Sequence, residues 1–168
     1  MTGVQTCALP ISDAGLRSFG RERILDLRLD ARAAEPVAPG AGVKVEDTAP
    51  VTRLNVKSVI TAPAEGSRQK PGWVRIKGAA WAGDADVTRV DISTDEGRTW
   101  NQAQLGEDHA KYAWRLFHYE WRATKPGAYT VMSRATDSLG RVQPGEQQWN
   151  PSGYLWNVID RVSINVQV

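Results

Sequence analysis

From Leu54 to the C-terminus, apolar residues recur at every second position, and that period is the strongest constraint on the fold. A period of two sends successive side chains to opposite faces of an extended strand, whereas a helix repeats every 3.6 residues. Val74 and Ile76 alternate with Arg75 and Lys77 ahead of Gly78, and Val90 and Ile92 alternate with Arg89, Asp91 and Ser93. Leu54, Val56 and Ile60 predict an earlier strand, and Tyr129, Val131, Ser133 and Ala135 predict one after Pro126-Gly127. Val162, Ile164, Val166 and Val168 predict the last. On another, Trp114, Leu116 and His118 oppose Arg115, Phe117, Tyr119 and Trp121. The turn residues Thr94-Asp95-Glu96-Gly97-Arg98 precede Trp100 and Leu105, so 87–105 reads as a hairpin with Gly97 free to take positive φ. About seven short strands, turn signals between them and no helical pattern predict an all-β fold, an antiparallel sandwich.

Only part of the chain can supply the core. All 7 Trp and 4 Tyr fall after Pro50, while residues 1–49 carry Phe19 as their one aromatic. Ordering a chain costs entropy that large apolar groups must offset, so residues 50–168 are expected to form the folded domain. Residues 13–49 are expected to be an unstructured or extended arm, rich in Ala, Pro and Gly from 31 onward. The opening string TGVQTCALPI matches what a short-read sequencing adaptor gives when translated, so residues 1–12 are expected to be an assembly artefact.

Charge and ligand supply exclude several classes. Lys and Arg number 21 against 19 Asp and Glu, which argues against a dedicated nucleic-acid binder. No run approaches the roughly 18 apolar residues of a membrane span. One cysteine, Cys7, and two histidines, His109 and His118, leave almost no soft metal ligands. Asp84 and Asp86 lack the further acidic ligands of a calcium loop, and a solvated turn is the preferred reading. Asp91, Asp95 and Glu96 suit hairpin-tip chemistry, and Ser133 and Ser138 lack a nucleophile elbow. Arg115, Arg122, Arg134 and Arg141 could gather and attract an anion, but a solvated strand face is favoured. No constellation supports catalysis by this chain alone.

Residues 140–157, GRVQPGEQQWNPSGYLWN, break the alternation. A Pro- and Gly-rich loop carrying Trp149, Tyr154 and Trp156 is costly to leave in water and is the leading candidate for an interaction surface. Trp149, Asn150, Ser152, Tyr154, Trp156 and Arg115 are the candidate interface or pocket-rim residues. Trp81, Trp100 and Trp121, beside strand alternation, are expected in the core.

Several blocks, taken in order, are those of a known family: VKSVITAPAEG (56–66), IKGAAWAG (76–83), RVDISTDEGRTW (89–100), AWRLFHYEW (113–121), SRATDSLGRVQP (133–144) and WNPSGYLWN (149–157). Together they make residues 50–168 resemble the C-terminal dimerisation domain of the sulfite oxidase family of molybdenum-cofactor oxidoreductases. The resemblance implies an immunoglobulin-like sandwich that pairs two subunits as a homodimer and binds no cofactor itself. It implies a molybdenum cofactor (molybdopterin) held by a separate upstream domain, which is a further partner, and a periplasmic location of the kind bacterial members have. Animal and plant members carry an Arg in the loop corresponding to 149–157; Ser152 stands there, a neutral hydroxyl in place of a guanidinium fork, which puts sulfite as substrate in doubt. The loop is still expected to border an active-site entrance. The rival reading is a free-standing sandwich that binds carbohydrate or protein through Trp149 and Trp156.

Overall fold

The structure, a computed structural model, describes residues 31–33, 44, 48–148, 150 and 154–168. The chain divides into two compact units, 1–51 with 150–154, and 52–149 with 155–168. In the first, β1 (Ala31–Ala33) and β2 (Thr48–Pro50) pair antiparallel, with Ala31 opposite Pro50.

The second unit is the sandwich. In chain order its strands are β3 (Lys57–Ala62), β4 (Arg68–Gln69), β5 (Gly72–Trp81), β6 (Val87–Ser93), β7 (Asn101–Gln102), β8 (Gln104–Leu105), β9 (Arg115–Ala123), β10 (Gly127–Asp137) and β11 (Asp160–Val166). One sheet runs β4-β11-β10-β6-β7 and the other β3-β5-β9-β8. All pairings are antiparallel except β4 with β11, which is parallel. No helix occurs among the described residues, and the fold is an immunoglobulin-like β-sandwich: the antiparallel sandwich that the alternation predicts, in the form that the resemblance implies.

Alternation chose the inward faces well. Ile76, Val90, Ile92, Phe117, Val131, Ala135, Val162 and Ile164 meet in one buried cluster. Each fully buried aliphatic side chain contributes about 1.5–3 kcal/mol relative to exposure. Gly78 is required at the β5–β9 crossing, because a Cβ there would meet the Phe117 ring and the Val59 carbonyl at 2.2 Å. The first strand begins at Lys57 rather than Leu54, whose backbone instead accepts a bond from Gly83 N–H. The last ends at Val166, leaving Val168 exposed. The segment 87–105 is a hairpin only in part. Asn101–Gln102 pairs with β6, but Gln104–Leu105 crosses to pair with β9 in the opposite sheet, with buried Ala103 at the switch.

A polar joint sits inside this apolar core. The Gln143 side chain, 1% exposed, accepts at Oε1 from Ser58 N–H (2.9 Å), Ser58 Oγ (2.7 Å) and Ala135 N–H (3.1 Å). Its Nε2 donates to the Val158 carbonyl at 2.8 Å. Since Ser58 spends its proton on Gln143, the 2.9 Å contact between Ser58 Oγ and Ser133 Oγ is donated by Ser133. One amide thus joins β3 of one sheet to β10 of the other.

Side chains also close the sheet edges. The outward N–H groups of β3 donate to Gln143 and, from Ile60, to Asp160 Oδ2 at 2.7 Å. Along β11, Ser163 N–H donates to Glu65, Gly66 N–H donates to the Ser163 carbonyl, and Asn165 N–H donates to the Ser67 carbonyl. The remaining edges, β7 and β8, are two residues long. Short or capped edges resist pairing with another strand.

Gln143→Ala strands two buried N–H donors and a buried carbonyl, so it is expected to cost on the order of 3 kcal/mol. Urea denaturation would show a lowered midpoint at unchanged slope, whereas exposed Gln148→Ala should stay within about 0.5 kcal/mol of the parent.

Candidate functional site

The loop expected to carry the interaction surface is clamped at its base. Ile159 N–H donates to the Pro144 carbonyl (2.8 Å), and Asn157 N–H donates to Gln147 Oε1 (3.0 Å). Asn157 Nδ2 donates to the Val56 carbonyl (3.1 Å), and Asn55 Nδ2 to the Leu155 carbonyl (3.1 Å). With Gln143 reaching Val158, these bonds tie both loop stems to the start of β3. Trp156 follows on the stem and is 54% exposed. Asn150 Nδ2 donates to the Tyr154 carbonyl at 3.1 Å, within the other unit. Trp149 and Ser152 lie outside the described residues.

The four arginines do not gather. Arg115 spends Nη1 on the Val87 carbonyl (2.9 Å) and Nε on the Gly106 carbonyl (3.4 Å), which makes it a brace between strand ends. Arg122 lies over Trp73, with 6.0 Å from guanidinium to ring centroid. Arg134 lies 4.3 Å over the Trp100 ring and pairs with buried Asp91. Arg141 binds Asp137 and Asp84, both at 2.6 Å. Asp84 also takes Arg53 at 2.9 Å, so its carboxylate is occupied by guanidinium groups, and the hydrogen bond from Arg141 lowers its pKa. His109 Nε2 meets Asp86 at 3.2 Å, and His118 is half-buried on β9.

The tryptophans are placed differently from expectation. Trp121 packs edge-on against Tyr129 at 4.8 Å beside the core. Trp100 lies at the hairpin tip, donating Nε1–H to the Gly97 carbonyl. Trp81 stacks on Trp114 at 5.6 Å on the outer face of the four-stranded sheet. That face is unusually apolar for a solvated one. Trp114 is 68% exposed and Leu116 62%. By register Leu116 lies opposite Ala79, which lies opposite Val59. The outer face of the other sheet presents Thr130, Met132, Arg134 and Thr136 on β10 and Arg161, Ser163 and Asn165 on β11, with Met132 buried and Trp100 lying over Arg134. Trp114 and Leu116 keep exposed apolar area on the four-stranded sheet, and an exposed apolar patch marks an interaction surface. Sequence alternation places Trp114 with Leu116 but does not say which face of β9 is buried, because both faces are aromatic.

Residues 48–167 match the family described as the Mo-co oxidoreductase dimerisation domain. The chain belongs to that family. It is 36% identical over 129 residues to mitochondrial sulfite oxidase of Rattus norvegicus, covering 71% of this chain and 24% of that protein. It is 34% identical over 149 residues to mitochondrial sulfite oxidase of Homo sapiens, covering 83% of this chain and 27% of that protein. Among solved structures it is similar to the sulfane dehydrogenase SoxCD from Paracoccus pantotrophus, with a TM-score of 0.59 and 30% identity, covering 68% of this chain and 33% of that one. The chain therefore spans about a quarter of the length of the curated relatives it matches. The free-standing carbohydrate-binding reading is not favoured by this membership.

The family is one of molybdenum-cofactor oxidoreductases, so the donor set bears on whether this sandwich could hold the cofactor. Among the described residues no group of three or more His, Cys, Asp or Glu could hold a metal ion, and Cys7 lies outside them. Asp84, Asp91 and Asp137 are paired with arginines, so the described residues of the sandwich do not fit the cofactor. No helix among the described residues is long and apolar enough to cross a membrane.

At the hairpin tip the Asp95 carboxylate accepts from Thr99 Oγ1 (2.6 Å), Thr99 N–H (2.9 Å) and Ser93 Oγ (2.8 Å), which lowers its pKa to about 2. A folded pKa below the unfolded one means that the turn is stabilised above the ordinary carboxylate range and loses that contribution as pH falls toward 2. NMR titration of the Asp95 carboxyl should give about 2, and Thr99→Ala should move it upward toward the ordinary range.

Proposed function

We propose that this chain is the association module of a larger molybdenum-cofactor oxidoreductase of the sulfite oxidase type, and that two copies of it pair. The observation that carries the reading is the match of residues 48–167, nearly the whole sandwich, to a dimerisation domain. The catalytic chemistry belongs to the cofactor domain, and this chain contributes subunit pairing, with residues 50–168 as the pairing domain. Two-fold pairing is the commonest closed arrangement of identical chains. Sedimentation equilibrium should return twice the chain mass for the chain as it stands. A monomer at tens of micromolar would contradict the reading.

The same reading gives the 140–157 loop a second task, at the rim of the active-site entrance. The support is its clamped base, since a loop that must present Trp149, Asn150, Ser152 and Tyr154 to a neighbouring domain gains from fixed stems. Ser152 offers a substrate anion one neutral donor where a guanidinium would offer a charged fork. In the full-length enzyme, Ser152→Arg should lower KM for sulfite about tenfold, the scale of one charge-assisted hydrogen bond. Trp149→Ala should raise KM without dissociating the dimer. If both variants leave KM and turnover unchanged, the loop is not at the entrance.

A further inference from the structure

We propose that the end of the sandwich where β5 and β10 begin docks on an anionic phospholipid surface, with Trp73 seated among the headgroups and Lys70 and Lys125 beside it. Two Lys-Pro-Gly turns make this end. Lys70-Pro71-Gly72 leads into β5, and Lys125-Pro126-Gly127 leads from β9 into β10. Register brings them together. Gly72 lies opposite Ala123 on β9, and Gly127 lies opposite Val166 on β11, which also pairs with Gln69 just ahead of Lys70. Lys70, Pro71, Trp73, Arg122, Lys125 and Pro126 are all exposed, so the turns form one tip beyond the strand ends.

The charge at this end is one-sided. Residues 66–77 and 121–128 carry six cations, Arg68, Lys70, Arg75, Lys77, Arg122 and Lys125, and no Asp or Glu. In the rest of the chain 19 Asp and Glu stand against 15 Lys and Arg, so the positive charge is a local concentration. The carboxylates that border the two segments are engaged: Glu65 accepts from Ser163 N–H, and Glu120 pairs with Arg75. On the β6 side of the same end, the hairpin tip keeps Asp95 on Thr99 and Ser93, and Glu96 on Arg98. Among the described residues, Arg68, Lys70, Lys77 and Lys125 pair with no carboxylate. Closely spaced cations without partners draw a surface of closely spaced anions, and a leaflet with acidic headgroups is one.

Trp73 decides which polyanion fits. Its side chain is 70% exposed, with the Arg122 guanidinium 6.0 Å from the ring centroid. An indole is apolar in body with one polar N–H, so it settles at the boundary between headgroups and acyl chains, where lysines keep their ammonium groups among the phosphates. Single-stranded nucleic acid needs several aromatic platforms along a groove, and Trp73 is the one exposed aromatic of the two segments. An acidic protein would meet a single large apolar side chain with no apolar surround to exclude water from it. The tip is also remote from the 140–157 loop. From Trp73 to Trp81 the strand β5 runs about 26 Å at roughly 3.3 Å per residue. The chain enters β3 and clamps the loop stems at the Trp81 end, so docking by the tip leaves the loop clear. Such attachment lies on a bilayer and does not cross it.

The test is cosedimentation of the whole chain with phosphatidylcholine vesicles, with and without one third phosphatidylglycerol, and circular dichroism to confirm that each variant folds. The chain is expected to bind the anionic vesicles, to ignore the zwitterionic ones and to be released as salt rises. Lys70→Glu with Lys125→Glu should weaken binding by at least about tenfold. Lys57→Glu, at the opposite end, should change it by less than about twofold. Trp73→Ala should weaken it several-fold. Brominated phosphatidylcholine in saturating anionic vesicles should quench part of the parent's tryptophan fluorescence, and Trp73→Ala should abolish that quenching. No binding to anionic vesicles, or binding that the lysine pair does not alter, overturns the proposal. Quenching that survives in Trp73→Ala overturns the seating of Trp73. If poly-glutamate or duplex DNA binds as tightly as the vesicles and Trp73→Ala binds like the parent, the end takes an acidic protein or a nucleic acid, and the membrane assignment is overturned.

Discussion

The amide of Gln143 is the interaction on which the sandwich and its loop both depend. Three donors converge on Oε1 and the Nε2 group reaches Val158, so one uncharged side chain links β3, β10 and the segment that enters β11. An amide suits that position because it offers acceptor and donor without the cost of a buried charge. The apolar cluster supplies most of the driving force, but apolar contacts are non-directional and would tolerate a slip between sheets. The Gln143–Ser58–Ser133 chain does not, since a slip would leave its buried members unpaired.

From that joint the functional features follow outward. The same amide anchors one stem of the 140–157 loop, while Asn157 and Gln147 close the other, so the loop leaves a rigid platform. The joint also occupies the open edge of β3, and Asp160 completes the job, which leaves faces rather than edges for association.

Strand positions were legible in the sequence because the core is built from alternation, as Val74, Ile76, Val90, Ile92, Val162 and Ile164 show. The hairpin at 87–105 was half legible. Its turn chemistry is local, but the departure of Gln104–Leu105 to the other sheet is a long-range choice that no local pattern encodes. Gln143 was not legible, since a polar residue beside Pro144 and Gly145 reads as exposed loop. The arginines had the right types for an anion site, yet their partners Asp84, Asp91 and Asp137 are brought to them only by folding. Trp81 was expected in the core and stands on the outer face, where the β5 alternation puts it with Arg75 and Lys77; on β9 both faces are aromatic and alternation does not rank them.

The central claim is that the Gln143 amide holds the two sheets and the loop stem in one arrangement. Native-state hydrogen exchange in the Gln143→Ala chain tests it most directly, because it reads each amide by itself. The expected result is protection lost at Ser58 and Ala135, whose N–H groups donate to Gln143 Oε1, and at Ile159 on the loop stem, while Ile76 and Val90 in the apolar core keep theirs. Unchanged protection at Ser58, Ala135 and Ile159 would contradict it.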